Sequence, residues 1–273
     1  CLVGSEMCIR DRVPMTDIHD INAALSETSD ALSRVYAKGA VSFGGVHDIG
    51  ASVKRLEIGS SLNTVELLHI SSLLTAAARV KNYYEDTTDS LTGYFHALEP
   101  LTPLNTEIKR CILSEDEISD DASANLRSIR RQKVLAAERI HTELNKMLNS
   151  SSVRNCLQDF VITSRSGRYC LPVKAEYKSQ VPGMVHDQSA TGSTLFIEPA
   201  AVVKLNNDIR ELELKEQAEI EAILAELSAK ASEFTDELLT DFQVLTTLDF
   251  IFAKAQMSKQ YKCSCPVMNL SLI

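Results

Sequence analysis

One long stretch without a helix breaker constrains this chain more than any other feature. From Pro199 to about Gln260 there is no glycine and no further proline. Val202, Leu205, Ile209, Leu212, Ile220, Ile223, Leu227, Phe234, Leu238, Phe242, Leu245 and Leu248 recur through it at close to heptad spacing. Proline is tolerated in a first helical turn, where its missing N–H has no intrahelical partner, so Pro199 reads as the helix start. The pattern predicts a single helix of about 90 Å at 1.5 Å per residue. Such a helix is too long for the interior of one compact domain. It needs a partner along its apolar seam.

The partner expected from the sequence is the charged, Gly- and Pro-free run from Ser119 to Asn149, with Asp120 and Asp121 favouring its N-terminus through the helix dipole. Upstream, apolar residues at three- and four-residue steps predict a helix from Thr16 to near Gly39 (Ile18, Ile21, Leu25, Leu32, Val35). A glycine-rich break, VSFGGVHDIG, leads to a short helix in ASVKRLEIG, then to a longer one capped by Asn63 or Thr64, then to LNTEIKRCI. Between Phe160 and Ile197 the pattern changes to short apolar runs, FVITS, RYCLPVKAEY and STLFIE, separated by turn residues. These predict a sheet of three or four strands.

The fold class expected is therefore mainly α with a small β insertion: a helical core plus long antiparallel helices carrying a β tip. The segments are a helical core over 14–117, an outgoing helix over 118–158, the β tip over 159–198 and a returning helix over 199–262, followed by residues 263–273. The first residues, CLVGSEMCIRDR, have no periodicity and resemble a translated sequencing adapter. Residues 1–13 are set apart as a foreign leader.

A net charge of −9 repels nucleic acid and anionic membrane in bulk, so phosphate binding requires a local basic patch. The charge is unevenly placed. Residues 205–250 carry twelve acidic and three basic side chains, whereas 154–178 carry five basic and two acidic. No run approaches the roughly 18 apolar residues of a membrane span. The seven cysteines, Cys1, Cys8, Cys111, Cys156, Cys170, Cys263 and Cys265, are odd in number and scattered, which favours a reducing cytoplasm over a disulfide framework. Cys263-Ser264-Cys265 has no second Cys or His pair at zinc-like spacing.

The segment HDQSATGSTLFIEP, residues 186–199, holds the side chains that look most like chemistry. A nucleophilic triad needs groups converging from separate parts of a fold, but His186, Asp187 and Ser189 are near neighbours and no GxSxG elbow is present. A metal site at His186 and Asp187 meets the same objection. The better reading is a shaped turn: Asp187, Ser189 and Thr191 bonding nearby backbone, Gly192 at positive φ, then a strand, with Glu-Pro setting the next helix. No catalytic, cofactor or metal residues are assigned.

The same segment, within RSGRYCLPVKAEYKSQVPGMVHDQSATGSTLFIEPAAVVKLNNDIRELELKEQAEIE, closely resembles the bacterial MutS-like proteins of the second type. FGGVHDIGASVKRLEIGSSL resembles their N-terminal core, and LTTLDFIFAKAQ the end of their returning lever helix. The resemblance runs from about Pro14 to the C-terminus. It implies a core, lever, clamp, lever order followed by an ATPase domain that uses ATP and magnesium, and a Smr module. No GxxxxGK[ST] loop is present here, so the chain is expected to be an internal fragment without the ATPase or nuclease site. It further implies a cytoplasmic homodimer in the full-length parent that engages branched or mismatched DNA, or the ribosome and its rRNA. Arg165, Arg168, Lys174 and Lys178 are the candidate phosphate contacts. The alternative is a structural lever module that contacts only protein.

Overall fold

The computed structural model of the protein describes residues 14–84 and 88–268. The adapter-like leader, with Cys1 and Cys8, lies outside the described residues, as do residues 269–273. In chain order, the helices α1 (Ile18–Lys38), α2 (Gly50–Glu57), α3 (Thr64–Tyr83), α4 (Thr92–Ala97) and α5 (Thr102–Cys111) precede a small hairpin of β1 (Ile112–Ser114) and β2 (Glu117–Ile118). Next come α6 (Ala124–Asn149), α7 (Ser151–Arg154), β3 (Thr163–Arg165), β4 (Arg168–Lys174), β5 (Gly183–Gln188) and β6 (Thr194–Pro199). Finally, α8 (Val203–Ser232) and α9 (Thr235–Tyr261) close the order. The chain is mainly helical with a small β insertion, as its sequence predicts.

The chain divides into two compact units, Cys1–Ser119 with Ile223–Ile273, and Asp120–Ala222. The first is an all-helical core apart from the β1–β2 hairpin. Helix α1 is capped by Asp17, whose carboxylate accepts the His19 and Asp20 N–H groups. Helix α3 opens with a capping box in which Asn63 and Glu66 accept each other's backbone N–H. It buries Leu67, Ile70, Leu73, Leu74, Ala76, Ala77 and Val80, so it forms the centre of the unit. Helix α9 packs on α1 and α3. Its Phe252 is fully buried against Phe43 and Tyr83, with ring centroids 5.6 and 5.8 Å away.

The expectation of one helix from Pro199 to Gln260 fails at both ends of α8. Pro199 closes strand β6 instead of opening the helix: Val202 N–H turns back to its carbonyl, and the first helical residue is Val203. A proline at a strand terminus costs little ladder bonding. Downstream, helical geometry stops at Phe234 (φ −127°, ψ 27°) and restarts at Thr235 with Asp236 and Glu237 in the first turn, where the helix dipole favours acids. Leu238, Leu245 and Leu248, read as seam residues facing the 119–149 helix, are buried in the core of the first unit. The outgoing helix also starts late. Asp120–Ala122 form a 3-10 turn, and Ser123 caps α6 by accepting the Leu126 N–H.

In the second unit α6 and the first part of α8 run antiparallel. Ser123 and Asn125 donate to Glu219, Arg130 and Lys133 to Glu216, and Ile140 and Leu144 pack with Ile209 further along. Basic side chains of one helix thus meet acidic ones of the other, as their composition predicts. The sheet is antiparallel with order β3-β4-β6-β5. Leu171, Val173 and Ile197 face Ala136, Ile140, Leu144, Val202 and Ile209 in one apolar cluster. Pro172 cannot return a hydrogen bond to Gln158, so the flanking segment pairs with β4 only at the single bridge Leu157–Val173. The sequence pattern places β5 within the turn region and gives no periodic signal for α4 or the β1–β2 hairpin.

Candidate functional site

At the base of the sheet sits a fully buried carboxylate, Glu198. Arg168 Nη1 and Asn206 Nδ2 donate to its Oε1 at 2.9 and 2.8 Å, and His186 Nε2 lies 2.6 Å from its Oε2. Burial pushes the Glu198 carboxyl up, but the hydrogen bonds from His186, Arg168 and Asn206 outweigh it and hold the group below the ordinary carboxylate range. Each partner is placed by a local feature. Arg168 begins β4, Asn206 lies in the first turn of α8, and His186 is the extra residue of a bulge in β5 between Val185 and Asp187. The bulge leaves His186 without a cross-strand partner and aims its ring at Glu198.

Asn206 also completes the sheet. Its Oδ1 accepts the Tyr169 N–H at 3.1 Å and its Nδ2 donates to the Tyr169 carbonyl at 3.3 Å. This peptide-like pair continues the ladder on β4 beyond the last β6 pairing, Leu171–Ile197, where Pro199 has no N–H to offer. Glu198 and Asn206 together tie β4, β5, β6 and the start of α8 into one joint. Its chemistry is structural. Both carboxylate oxygens are engaged, and burial pushes the neighbouring Cys170 thiol up to about 11, with the Glu198 charge adding to it, which keeps that sulfur protonated and unreactive.

The turn reading of HDQSATGSTLFIEP holds in part: Asp187, Ser189 and Gly192 behave as expected, whereas residues 186–188 are strand and Pro199 closes β6 instead of setting the helix. Ser189 and Thr194 close the β5–β6 hairpin: Ser189 N–H donates to the Thr194 carbonyl, and Ser189 Oγ accepts the Thr194 N–H. Gly192 takes φ +73° and donates to the Ser189 carbonyl. Asp187 accepts the Gln188 N–H. Thr191 instead bonds the hydroxyls of Ser189 and Ser193.

Of the four cations expected to contact phosphate, three have partners within the unit. Arg168 is committed to Glu198. Arg165 lies 3.9 Å above the Phe196 ring and 3.2 Å from Asp187 Oδ2. Lys174 reaches the Asn155 carbonyl at 3.5 Å and lies 5.9 Å from the Tyr177 ring. Lys178 is exposed and makes no hydrogen bond or ion pair with the described residues. Arg154, a member of the basic 154–178 cluster but not one of those four, has its guanidinium 4.9 Å from the centre of the exposed Phe160 ring. The spacing of an arginine and an aromatic on either side of a sharp turn was the available signal.

Comparison with known proteins decides the family. The chain is 64% identical over 99% of its length to an "Endonuclease MutS2" of Lachnospira eligens, 54% identical over 94% to one of Agathobacter rectalis, and 51% identical over 98% to one of Lachnoclostridium phytofermentans. The chain belongs to the MutS2 family. It spans about a third of the length of those MutS2 relatives, 34%, 33% and 35% respectively. No family model matches the chain.

Against this MutS2 background, the described residues contain no helix long and apolar enough to cross a membrane. Among them, Cys111, Cys156 and Cys170 are buried free thiols, and Cys263 and Cys265 are exposed ones.

Proposed function

We propose that this part of a MutS2 protein supplies the core, the lever helices and the clamp-like sheet through which a cytoplasmic, dimeric ATPase grips nucleic acid, either branched DNA or ribosomal RNA. The observation that carries the reading is the pairing of exposed cations with an exposed aromatic on the second unit. In a chain of net charge −9, Lys178 has no acidic partner among the described residues, and Arg154 stacks with Phe160 on the same unit. Cations contact phosphates while an aromatic ring stacks on an unpaired base, and neither reads sequence. The sheet joint at Glu198 supports the reading by giving those side chains a rigid mount.

ATP and magnesium belong to the expectation for the whole family protein and are not placed on these residues. The sequence has no GxxxxGK[ST] loop, and among the described residues no three His, Cys, Asp or Glu side chains are grouped to hold a metal ion. No step through ATP is assigned to these residues.

The test is binding of the 273-residue chain to a four-way DNA junction by gel shift and to ribosomes by co-sedimentation, across a salt series. The expected result is affinity that falls steeply with salt. Replacing Arg154, Lys174 and Lys178 together by glutamate should weaken it by at least about tenfold and flatten the salt slope by about three phosphate contacts. Arg168 is left intact because it holds Glu198. Binding indifferent to both salt and the triple substitution would favour the second reading, a lever module that docks protein only. That reading draws on the use of Arg165 and Arg168 within the fold, and on the exposed Val161, Met184 and Val185.

A further inference from the structure

The first unit contains a cup of about 440 Å³ that the nucleic-acid reading does not use. Its floor is a stripe of α3 that breaks the apolar character of that helix. Leu68, Ser72, Thr75 and Arg79 follow one another at three- and four-residue steps and so share a face. One wall is the Gly44–Gly45 turn, and the other is the end of α5 with Lys109, Ile112 and Leu113. Gly45 takes φ +90°, which a residue with a Cβ rarely adopts, and a Cβ there would lie 3.9 Å from Ser72 Cβ.

The cup is rich in hydrogen-bond donors and poor in acceptors. Arg79 uses only Nη1, which donates to the Ser42 and Gly44 carbonyls at 2.8 and 3.3 Å and approaches Ser42 Oγ at 3.5 Å. Its Nε and Nη2 donors have no partner among the described residues. Lys109 Nζ donates to Thr75 Oγ1 at 2.8 Å, which leaves two of its three N–H donors over. Neither cation has a carboxylate within ion-pair distance among the described residues. The neighbouring Arg110 and Lys230, by contrast, both pair with Glu107. The Lys109 ammonium is held in place by a partly buried chain: Ser71 Oγ donates to Asn105 Oδ1, Asn105 Nδ2 to Thr75 Oγ1, and Thr75 Oγ1 to the Ser71 carbonyl. Two oriented cations and the Ser72 hydroxyl thus face a cavity whose other end, at Leu68, Ile112 and Leu113, is apolar.

We propose that this cup binds a phosphomonoester carrying a flat apolar body of nucleobase size, with the phosphate between Arg79 and Lys109 and the body against Ile112 and Leu113. Spare donors around a missing acceptor call for an anion with several oxygens, and phosphate supplies them. The volume fits a small ligand site.

The test titrates the chain with inorganic phosphate, a nucleoside 5′-monophosphate, the unphosphorylated nucleoside, and an oligonucleotide with and without a 5′-phosphate, followed by calorimetry and amide NMR shifts. The expected result is monophosphate binding at least about tenfold tighter than the nucleoside, with shifts at Gly45, Ser72 and Thr75, and a loss of about tenfold in Lys109→Gln, each tenfold being about 1.4 kcal/mol. Stronger binding of the free nucleotide assigns the cup to a small ligand. Stronger binding of the 5′-phosphorylated oligonucleotide assigns it to a strand end. Equal affinity for nucleoside and nucleotide, no binding of any probe, or unchanged affinity in both Lys109→Gln and Ser72→Val would overturn the proposal. These two variants leave the Arg79 clamp on the glycine turn intact, and the triple substitution on the second unit should not alter the result.

Discussion

Asp241 is fully buried in the first unit, on α9. Its Oδ1 accepts the Glu99 N–H at 2.8 Å, and its Oδ2 has no hydrogen-bond partner among the described residues. Burial is the largest influence on it and pushes the carboxyl from 3.8 up to about 7, against the lowering effect of the Glu99 N–H. A carboxyl that is harder to ionise in the folded chain than in the unfolded one takes stability away as pH rises. The fold keeps the full contribution below about pH 4, and loses it progressively between the unfolded value and pH 7. Between pH 5 and pH 8 the loss amounts to roughly 2–3 kcal/mol, which water entry and relaxation can only reduce. Asp241→Asn keeps the acceptor for Glu99 and cannot ionise, so it is free of this loss. Its amide N–H₂ takes the place of Oδ2 and, lacking an acceptor, costs about 1–3 kcal/mol at every pH. The variant should therefore gain on the parent by about 2 kcal/mol from pH 5 to pH 8, whatever its absolute stability. Urea unfolding followed by circular dichroism at pH 5, 6, 7 and 8 measures that difference, and all other titrating groups cancel in it. A stability difference constant across the series would refute the raised pKa and the account of Oδ2.

The joint at Glu198 makes the other predictions. Glu198→Ala should destabilise the second unit by about 3–5 kcal/mol, because Arg168 loses its buried counter-charge; thermal melts would read it. Because hydrogen bonding lowers the Glu198 pKa below 4.5, the stability it confers is present above that pH and lost as pH falls through the folded value. Glu198→Gln should accordingly flatten the acid limb of a pH–stability curve, and an unchanged limb would contradict the lowered pKa. A Cβ on Gly183 would collide with the Glu198 carbonyl oxygen. Gly183→Ala should therefore part β5 from β6 and cost about 1–3 kcal/mol, with faster amide exchange at Val185 as the diagnostic.

Local signals carried most of the helical fold. The Asn63–Glu66 capping box, Asp17 before α1, and the three- and four-residue apolar steps all stand in the sequence and all place elements correctly. The break between α8 and α9 was legible in part. Ser232-Glu233-Phe234-Thr235-Asp236-Glu237 has a hydroxyl residue followed by two acids, which is how a helix begins, and the lack of Gly or Pro masked it. What no periodicity could supply was the choice of partner: Leu238, Leu245 and Leu248 fit a coiled seam and a globular core equally well, and the core of the first unit took them. At the candidate site the four basic residues were visible as a charge cluster. The engagement of Arg165 and Arg168 within the sheet was not, because it depends on Asp187 and Glu198 arriving from other strands.

The chemistry-like appearance of HDQSATGSTLFIEP has a physical origin in the same joint. A strand that ends in Glu-Pro must give up a backbone donor at Pro199 just where a helix begins, and the neighbouring strand at Tyr169 is left with a peptide group to satisfy. Asn206 satisfies it with a side-chain amide, which brings a polar group into the sheet–helix junction. Its second amide hydrogen then needs an acceptor, and Glu198 supplies one. A carboxylate there in turn requires donors of its own, which Arg168 and the bulged His186 provide. Each polar residue answers the one before it, so the set is complete without a substrate. A histidine beside a carboxylate is thus here the last member of a closed hydrogen-bond chain. Reactive atoms would need an open position, and donors left open near a cavity lie elsewhere among the described residues, at Arg79 and Lys109.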